Sequence, residues 1–255
     1  MSADTLNPDT PAELVMIVPT RLRPHAMTGM ARAFADTATA DTWLLWCVDD
    51  SPDLADYLTV HEETLHVYPR QRLVAGHRRR LVGTLNHYAV RSAYQARAPY
   101  ALGFLGDDHR PVTPGWDSAY LAALRALGSG LVYGDDTIQG ENLPTQIAMT
   151  TDLVVALGHL APACLTHMYL DNYWLDLGRR AQAITYLSEV IIAHHHHSTG
   201  AAPLDASYAE SNSAETYARD KAAYNTYVAS GALAADVQRV RAVRDGRLQR
   251  SQVRA

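Results

Sequence analysis

The chain has 255 residues, 47% hydrophobic and 19% charged, with a formal net charge of −5. That length suits one large α/β domain with a substantial core, and the composition excludes a collagen-like or disordered chain. No apolar run reaches membrane length, and the polar, acidic opening MSADTLNPDTPAE lacks the basic and apolar regions of a secretory signal, so a cytoplasmic protein without a membrane partner is expected.

Leu14–Pro19, Trp43–Val48 and Tyr100–Gly106 are short apolar runs stopped by proline, acidic or glycine residues, and they read as buried parallel strands. Between them, Met27–Ala40 and Arg80–Ala96 carry apolar residues at helical spacing, so the first half alternates strand and helix as a nucleotide-binding α/β unit does. Further on, Gly130–Tyr133 predicts a strand, Thr145–Leu157 a helix, and Tyr186–Ala193 a strand leading into His194–His197. Ser207–Ala229 and Leu233–Leu248 predict helices, the last strongly basic, and Gly200–Pro203 is the best hinge-like loop. No Gly-x-Gly-x-x-Gly or Walker loop occurs, which disfavours dinucleotide and P-loop chemistry. Cys47 and Cys164 are too few for a disulfide framework or zinc knuckle, and both are expected to be core thiols.

Residues Leu102–Asp117 read LGFLGDDHRPVTPGWD, which puts Asp107, Asp108 and His109 at the carboxyl end of a buried strand, where open α/β folds hold their ligands. Asp108 and His109 there are oxygen and imidazole ligands suited to a divalent ion carrying a phosphorylated substrate, the alternative being a solvated turn. The first strand ends in Pro19-Thr20-Arg21-Leu22-Arg23-Pro24 and the second in Cys47-Val48-Asp49-Asp50-Ser51-Pro52-Asp53. Pro19, Thr20, Arg21, Arg23, Asp49 and Asp50 would thus offer guanidinium forks, a hydroxyl and carboxylates to a nucleoside diphosphate. Ser51 or Asp50 can equally cap a helix.

Lys221 is the sole lysine, and arginine concentrates in Arg70–Arg80 and Arg239–Arg254. Arginine's planar fork suits phosphate, though a G+C-rich genome produces the same bias. Arg79 and Arg80 are taken as further phosphate contacts; the cluster could also be a solvated helix face. The basic tail suits either a nucleic-acid backbone or a helix packed on a partner. Tyr133-Gly134-Asp135-Asp136 matches the short signature of template-directed RNA polymerases without any companion motif. The chain is small for a polymerase, and a surface turn after an edge strand is one other reading.

In order, PTRLRP, CVDDSPD, an arginine-rich segment leading to Leu85-Asn86, and FLGDDH followed by PGWD resemble family 2 glycosyltransferases of the GT-A fold. The resemblance implies an α/β architecture: a single Rossmann-like nucleotide-binding domain with a central mixed, mostly parallel sheet and a helical C-terminal extension. The catalytic domain would span 1–205, with a nucleotide-sugar half at 1–110 and an acceptor half at 111–205, and the extension with its basic tail would span 206–255. Those enzymes usually carry Asp-x-Asp where Gly106 here replaces the first Asp; Asp108 matches the residue that meets the metal, and Asp107 would touch the nucleotide-sugar. Leu170-Asp171-Asn172-Tyr173-Trp174 resembles the acidic position that supplies the base in inverting members, making Asp171 the candidate catalytic base. Capping of the following helix by Asp171 or Asn172 is the other reading. The resemblance also implies that the loop with Asp135 and Asp136 lies beside the site and orients the acceptor together with Gln139–Thr145, with Trp116 and Asn172 on the same acceptor side.

The run His194-His195-His196, then Gly200, Asp205 and Tyr208, resembles a His-x-His…Gly…Asp…Tyr pattern in small glycosyltransferases encoded by bacteriophages. It makes His194 and His196 candidates to complete the metal shell. Imidazole beside carboxylate favours Mn²⁺, with Mg²⁺ second, over Ca²⁺, and alternate residues of a strand face opposite sides, so at most two of the four histidines can bind. The implied reaction is metal-dependent transfer of a sugar from a nucleoside diphosphate donor, with UDP expected, to an acceptor hydroxyl. The phage resemblance points to a hydroxymethylated pyrimidine in double-stranded DNA. A small molecule, glycan or protein acceptor is the first alternative, and a non-catalytic nucleotide-sugar or nucleic-acid binding module the second. The sequence leaves the oligomeric state open.

Overall fold

The computed structural model describes residues 12–195 and 213–246. The strands are β1 (Leu14–Thr20), β2 (Thr42–Asp49), β3 (Gln71–Gly76), β4 (Ala101–Phe104), β5 (His109–Pro111), β6 (Leu131–Asp135), β7 (Ile147–Thr150) and β8 (Ile184–His194). The helices are α1 (Ala26–Thr37), α2 (Leu54–Thr64), α3 (Arg80–Ala93), α4 (Trp116–Leu127), α5 (Thr151–Leu157), α6 (Leu170–Ala181), α7 (Ala214–Ala229) and α8 (Ala232–Arg244). Among the described residues the strands form one eight-stranded sheet in the order β3-β2-β1-β4-β7-β6-β8-β5. β3, β2, β1 and β4 run parallel, β7 is antiparallel to both β4 and β6, and β8 is parallel to β6 but antiparallel to β5.

β1 and β2 are buried on both faces, because helices cover each side of the parallel half; this is why their sequences are nearly unbroken apolar runs. Two core clusters result. One packs α3, α5, α6, α7 and α8 against the sheet through residues such as Leu85, Leu153, Trp174, Tyr224 and Val237; the other packs α1, α2 and α4 through Phe34, Tyr57 and Tyr120. Each fully buried large apolar side chain contributes about 1.5–3 kcal/mol.

Helices α7 and α8 are tied to the domain by two fully buried carboxylates. Asp236 accepts the hydroxyls of Tyr173 at 3.0 Å and Tyr227 at 2.5 Å, and pairs with Arg239 at 2.6 Å. Asp220 accepts the backbone N–H groups of Thr166, His167 and Met168 at 2.8–3.2 Å. Burial raises the Asp220 pKa, but the N–H groups of Met168 and His167 and the Arg219 guanidinium outweigh it, so the net shift is downward.

Several expectations need correction. The segment 145–157 is not one helix: Ile147–Thr150 is a fully buried strand between β4 and β6, and the helix starts only at Thr151. Four residues are too short for a periodicity to be read. β3 lies inside the arginine-rich segment, where Arg70 and Arg72 hide a strand pattern; α4 was not anticipated, and α2 entered only as the helix that Ser51 or Asp50 could cap, whereas its N-cap position is Asp53. Cys47 is a buried thiol as expected, but Cys164 is exposed in the loop before α6.

Trp116 is fully buried, packed edge-on against Phe34 and Tyr120 with ring centroids 5.3 Å apart, and so belongs to the core, not to an acceptor face. Gly115 and Asp117 beside it are structural as well. Gly115, at φ +74°, opens α4, and buried Asp117 accepts from Thr39 N, Ala40 N and Thr42 Oγ1, tying α4 to the α1–β2 turn. Gly200–Pro203, His196, Asp205 and Tyr208 lie outside the described residues, as does the 205/206 domain boundary.

Candidate functional site

The carboxyl ends of β1, β2 and β4, the start of α3, the loop before α6 with the first turn of that helix, and the end of β8 enclose a cavity of about 330 Å³. Ligands of open α/β sheets bind at these ends because the strands stop there and their loops diverge.

The β1 end supplies Pro19, Thr20, Arg21 and Arg23 to the wall. Thr20 Oγ1 donates to Asp107 Oδ2 at 2.7 Å, and Arg23 holds Asp107 Oδ1 at 3.0 Å. Asp107 is thus an internal brace between two strand tips. Burial, with Asp108 next to it, pushes its pKa up to about 6 against the pull of Arg23. From β2, Asp49 lines the cavity and faces Arg21 at 3.5 Å and Arg78 at 3.8 Å; burial still raises its pKa. Asp50 turns away, onto His77 at 2.9 Å. Arg80 reaches the cavity from a left-handed backbone, φ +58°, at the start of α3. That conformation costs a non-glycine residue about 1 kcal/mol or more, and such strain clusters at functional sites. Arg79 does not line the cavity, donating instead to the His77 carbonyl, and Arg78 occupies the position expected of it.

Asp108, His109 and His194 converge so that one ligand atom of each lies within 4.8 Å of the others. Pairing of β5 with β8 creates this meeting, since His109 and His194 are register partners. Their rings stack at 4.2 Å and 15°. Asp108 Oδ1 lies 3.4 Å from His109 Nδ1, and Asp108 Oδ2 3.4 Å from His194 Nε2. Burial raises the Asp108 pKa, but the two histidines outweigh it and hold it well below the carboxylate range. Burial lowers His109; it also lowers His194, but Asp108 and Asp136 overcome it there and push the pKa up to about 9. A carboxylate and two imidazoles form a donor set that fits a divalent transition ion.

Gly106 explains the departure from Asp-x-Asp. A Cβ at this position would lie 2.5 Å from Asp108 Oδ1 and 2.9 Å from His109 Nδ1, so His109 fills the space that a first aspartate would need. Gly106 N–H donates to His109 Nδ1 at 3.0 Å. His195, one residue past the end of β8, is exposed and does not line the cavity.

Asp171 lines the cavity from the first turn of α6. Its Oδ1 takes the Asn172 N–H at 3.0 Å, no side-chain cap bond forms at this helix start, and burial raises its pKa. The capping alternative therefore does not consume it. Asn172 is not among the lining residues; its carbonyl takes the Tyr224 hydroxyl. Asp135 accepts Thr137 N–H in the turn after β6, and Asp136, 1% exposed, lies behind His194 instead of facing an acceptor. Sequence reasoning missed Arg78, Thr84, His167, Met168, Trp174 and Thr216 in the lining. Arg78 was one step from a chosen residue, whereas His167, Met168 and Thr216 carried no motif.

No protein-family model and no curated protein matches the sequence. Solved structures do. S. aureus TarS is similar with a TM-score of 0.54 at 13% identity over 71% of this chain. The chain spans 36% of that TarS structure and 60% of its 1–349 form. The mannosyltransferase PcManGT from Pyrobaculum calidifontis, in complex with GDP-Man and Mn²⁺, has a TM-score of 0.53 at 15% identity, covering 90% of this chain and 79% of its own. Glucosyl-3-phosphoglycerate synthase from Mycobacterium tuberculosis, in complex with Mg²⁺ and UDP, has a TM-score of 0.52 at 14% identity, covering 82% and 78%. The chain therefore has the GT-A glycosyltransferase fold: a mixed, mostly parallel sheet flanked by helices, as the sequence resemblance implied. Among the described residues, no helix is long and apolar enough to cross a membrane.

Proposed function

We propose that this chain is a metal-dependent glycosyltransferase that moves a sugar from a nucleoside diphosphate donor to an acceptor hydroxyl. The observation that carries the reading is the convergence of Asp108, His109 and His194 with Arg21, Arg78, Arg80 and Asp171 around one cavity at the strand tips. Structures of similar fold hold UDP-GlcNAc, GDP-Man with Mn²⁺, and UDP with Mg²⁺, which supports a nucleotide-sugar donor and a divalent ion. The ion, held by Asp108, His194 and His109, would offset the negative charge of the diphosphate as the glycosidic bond breaks. Arg80 and Arg78 add positive charge on the cavity wall, and Asp49 offers a carboxylate to the base or ribose. Asp171 takes the proton of the acceptor hydroxyl while the new C–O bond forms at the anomeric carbon and the diphosphate oxygen leaves with the bonding pair. A carboxylate whose pKa burial has raised is the better base for this step.

A hydroxymethylated pyrimidine in DNA is the acceptor suggested by the phage resemblance, and it rests on that alone. Arg241 donates to the Arg180 carbonyl, Arg244 to the carbonyls of Ala181 and Gln182, and Arg239 pairs with Asp236. These arginines of the basic tail serve α6 and α8, while Arg247, Arg250 and Arg254 lie outside the described residues. Incubation with a panel of nucleotide sugars and Mn²⁺, with mass spectrometry of hydroxymethylated DNA and of small glycoside acceptors, tests the proposal. Sugar on DNA supports the DNA acceptor; sugar only on a small acceptor keeps the enzyme and removes DNA; intact donors in every arm defeat the proposal.

A further inference from the structure

We infer that Asp136 is a positioning residue for the metal site: its Oδ2 sets which nitrogen of His194, and through Thr145 which nitrogen of His109, is presented to Asp108. The inference rests on the metal-dependent reading above and extends it to a carboxylate that does not line the cavity.

Asp136 follows directly on β6 and is 1% exposed. Its two oxygens have separate tasks. Oδ1 accepts the backbone N–H groups of Ile138, Gln139 and Gly140 at 2.6–3.1 Å, which closes the turn after β6. Oδ2 accepts the Thr145 hydroxyl at 2.8 Å and faces His194 Nδ1 at 3.9 Å. The Asp136 carbonyl also takes the His194 backbone N–H at 3.0 Å, so one residue fixes the main chain of that histidine and sets a carboxylate behind its ring.

Hydrogen-bond polarity then propagates to the second ring. A hydroxyl has one proton. Thr145 gives its proton to Asp136, so toward His109 Nε2, 3.4 Å away, its oxygen can only accept. That places the His109 proton on Nε2 and the lone pair on Nδ1, and the Gly106 N–H pointing at Nδ1 independently requires the same tautomer; an ion bound at Nδ1 would take that lone pair in place of the Gly106 N–H. The outward nitrogens, His109 Nδ1 and His194 Nε2, are those that face the two oxygens of Asp108, each at 3.4 Å. Ring stacking at 4.2 Å keeps the pair together. Imidazole ligands are oriented in this way by acceptors behind them, and loss of such an acceptor weakens metal binding about 10–100-fold.

A purely structural role, closing the 138–140 turn, needs only an acceptor. Asp136→Asn retains that acceptor but turns an N–H donor toward Thr145 and His194, reversing both arms. Titration of Mn²⁺, read as free ion by electron paramagnetic resonance, is predicted to give about 10–100-fold weaker binding for folded Asp136→Asn than for wild type. Thr145→Val, which breaks only the His109 arm, should weaken binding less, and Thr145→Ser should restore it. Wild-type affinity in folded Asp136→Asn overturns the inference. If that variant does not fold, wild-type affinity in Thr145→Val overturns it in its place. Asp108→Asn separates the two levels: Mn²⁺ binding absent from the wild type, or indifferent to Asp108→Asn, defeats the metal reading itself. Binding that needs Asp108 but ignores Asp136 defeats only this inference.

Discussion

At the residue scale the site separates charge-meeting groups from the proton-moving group. Among the described lining residues, Asp171 is the only carboxylate outside the β1, β2 and β4 strand ends, where Asp49, Asp107 and Asp108 lie. Asp171→Asn is predicted to lower kcat about 10²–10⁴-fold with donor KM little changed, as loss of a general base does. The base works ionised and burial raises its pKa, so wild-type kcat should fall as pH drops through that raised value. Steady-state profiles would check this, with the acidic limb missing from the residual activity of the Asn variant. Trp116→Phe should leave acceptor KM unchanged, because its ring packs on Phe34 and Tyr120. Neighbouring pairs mark where sequence reasoning stops. Asp49 faces the cavity while Asp50 turns to His77, and Arg78 lines it while Arg79 does not. Asp49 ends β2, whereas Asp50, Arg78 and Arg79 lie in the connections beyond β2 and β3, where the path of the loop sets side-chain direction and spacing in the sequence does not.

At the element scale, α7 shapes the cavity as well as covering the core. Asp220 on α7 gathers the N–H groups of Thr166, His167 and Met168, and His167, Met168 and Thr216 line the cavity. Asp220→Ala leaves these donors without their acceptor and is predicted to cost about 3 kcal/mol, lowering Tm by about 6–12 °C. Because the folded pKa is depressed, this contribution is full above the unfolded pKa of about 4 and is lost as pH falls through the folded value. The Tm gap between wild type and variant should therefore narrow in acid, and thermal melts from pH 7 down to 3 measure it. Arg244→Ala should lower Tm by removing donors to the last carbonyls of α6. If it instead reduced the salt slope of DNA binding by about one, the residue would be a phosphate contact. Long apolar strands and strongly amphipathic helices were legible in the sequence, as β1, β2 and α3 demonstrate. β7 and β3 were not: one is four residues long, and the other is masked by Arg70 just before it and Arg72 within it.

At the scale of the whole molecule, sheet order explains how distant motifs meet. β1, β2 and β4 are parallel neighbours, so PTRLRP, CVDDSPD and LGDDH end side by side. The antiparallel β5–β8 pair returns His194 to Asp108 across 86 positions of chain. The metal motif and late histidine were visible as residue types, and the resemblance supplied their order; the Asp136–Thr145 support was invisible, because it depends on which oxygen faces which ring. The most direct test of the account is release of nucleoside diphosphate from a panel of nucleotide sugars, with Mn²⁺ or with chelator, for wild type and Asp108→Ala. The account predicts turnover of at least one donor that needs the ion and falls about 10²-fold or more in Asp108→Ala, the loss expected when about 3 kcal/mol of charge stabilisation is removed. Turnover that survives both chelator and Asp108→Ala, or no turnover of any donor, would contradict it.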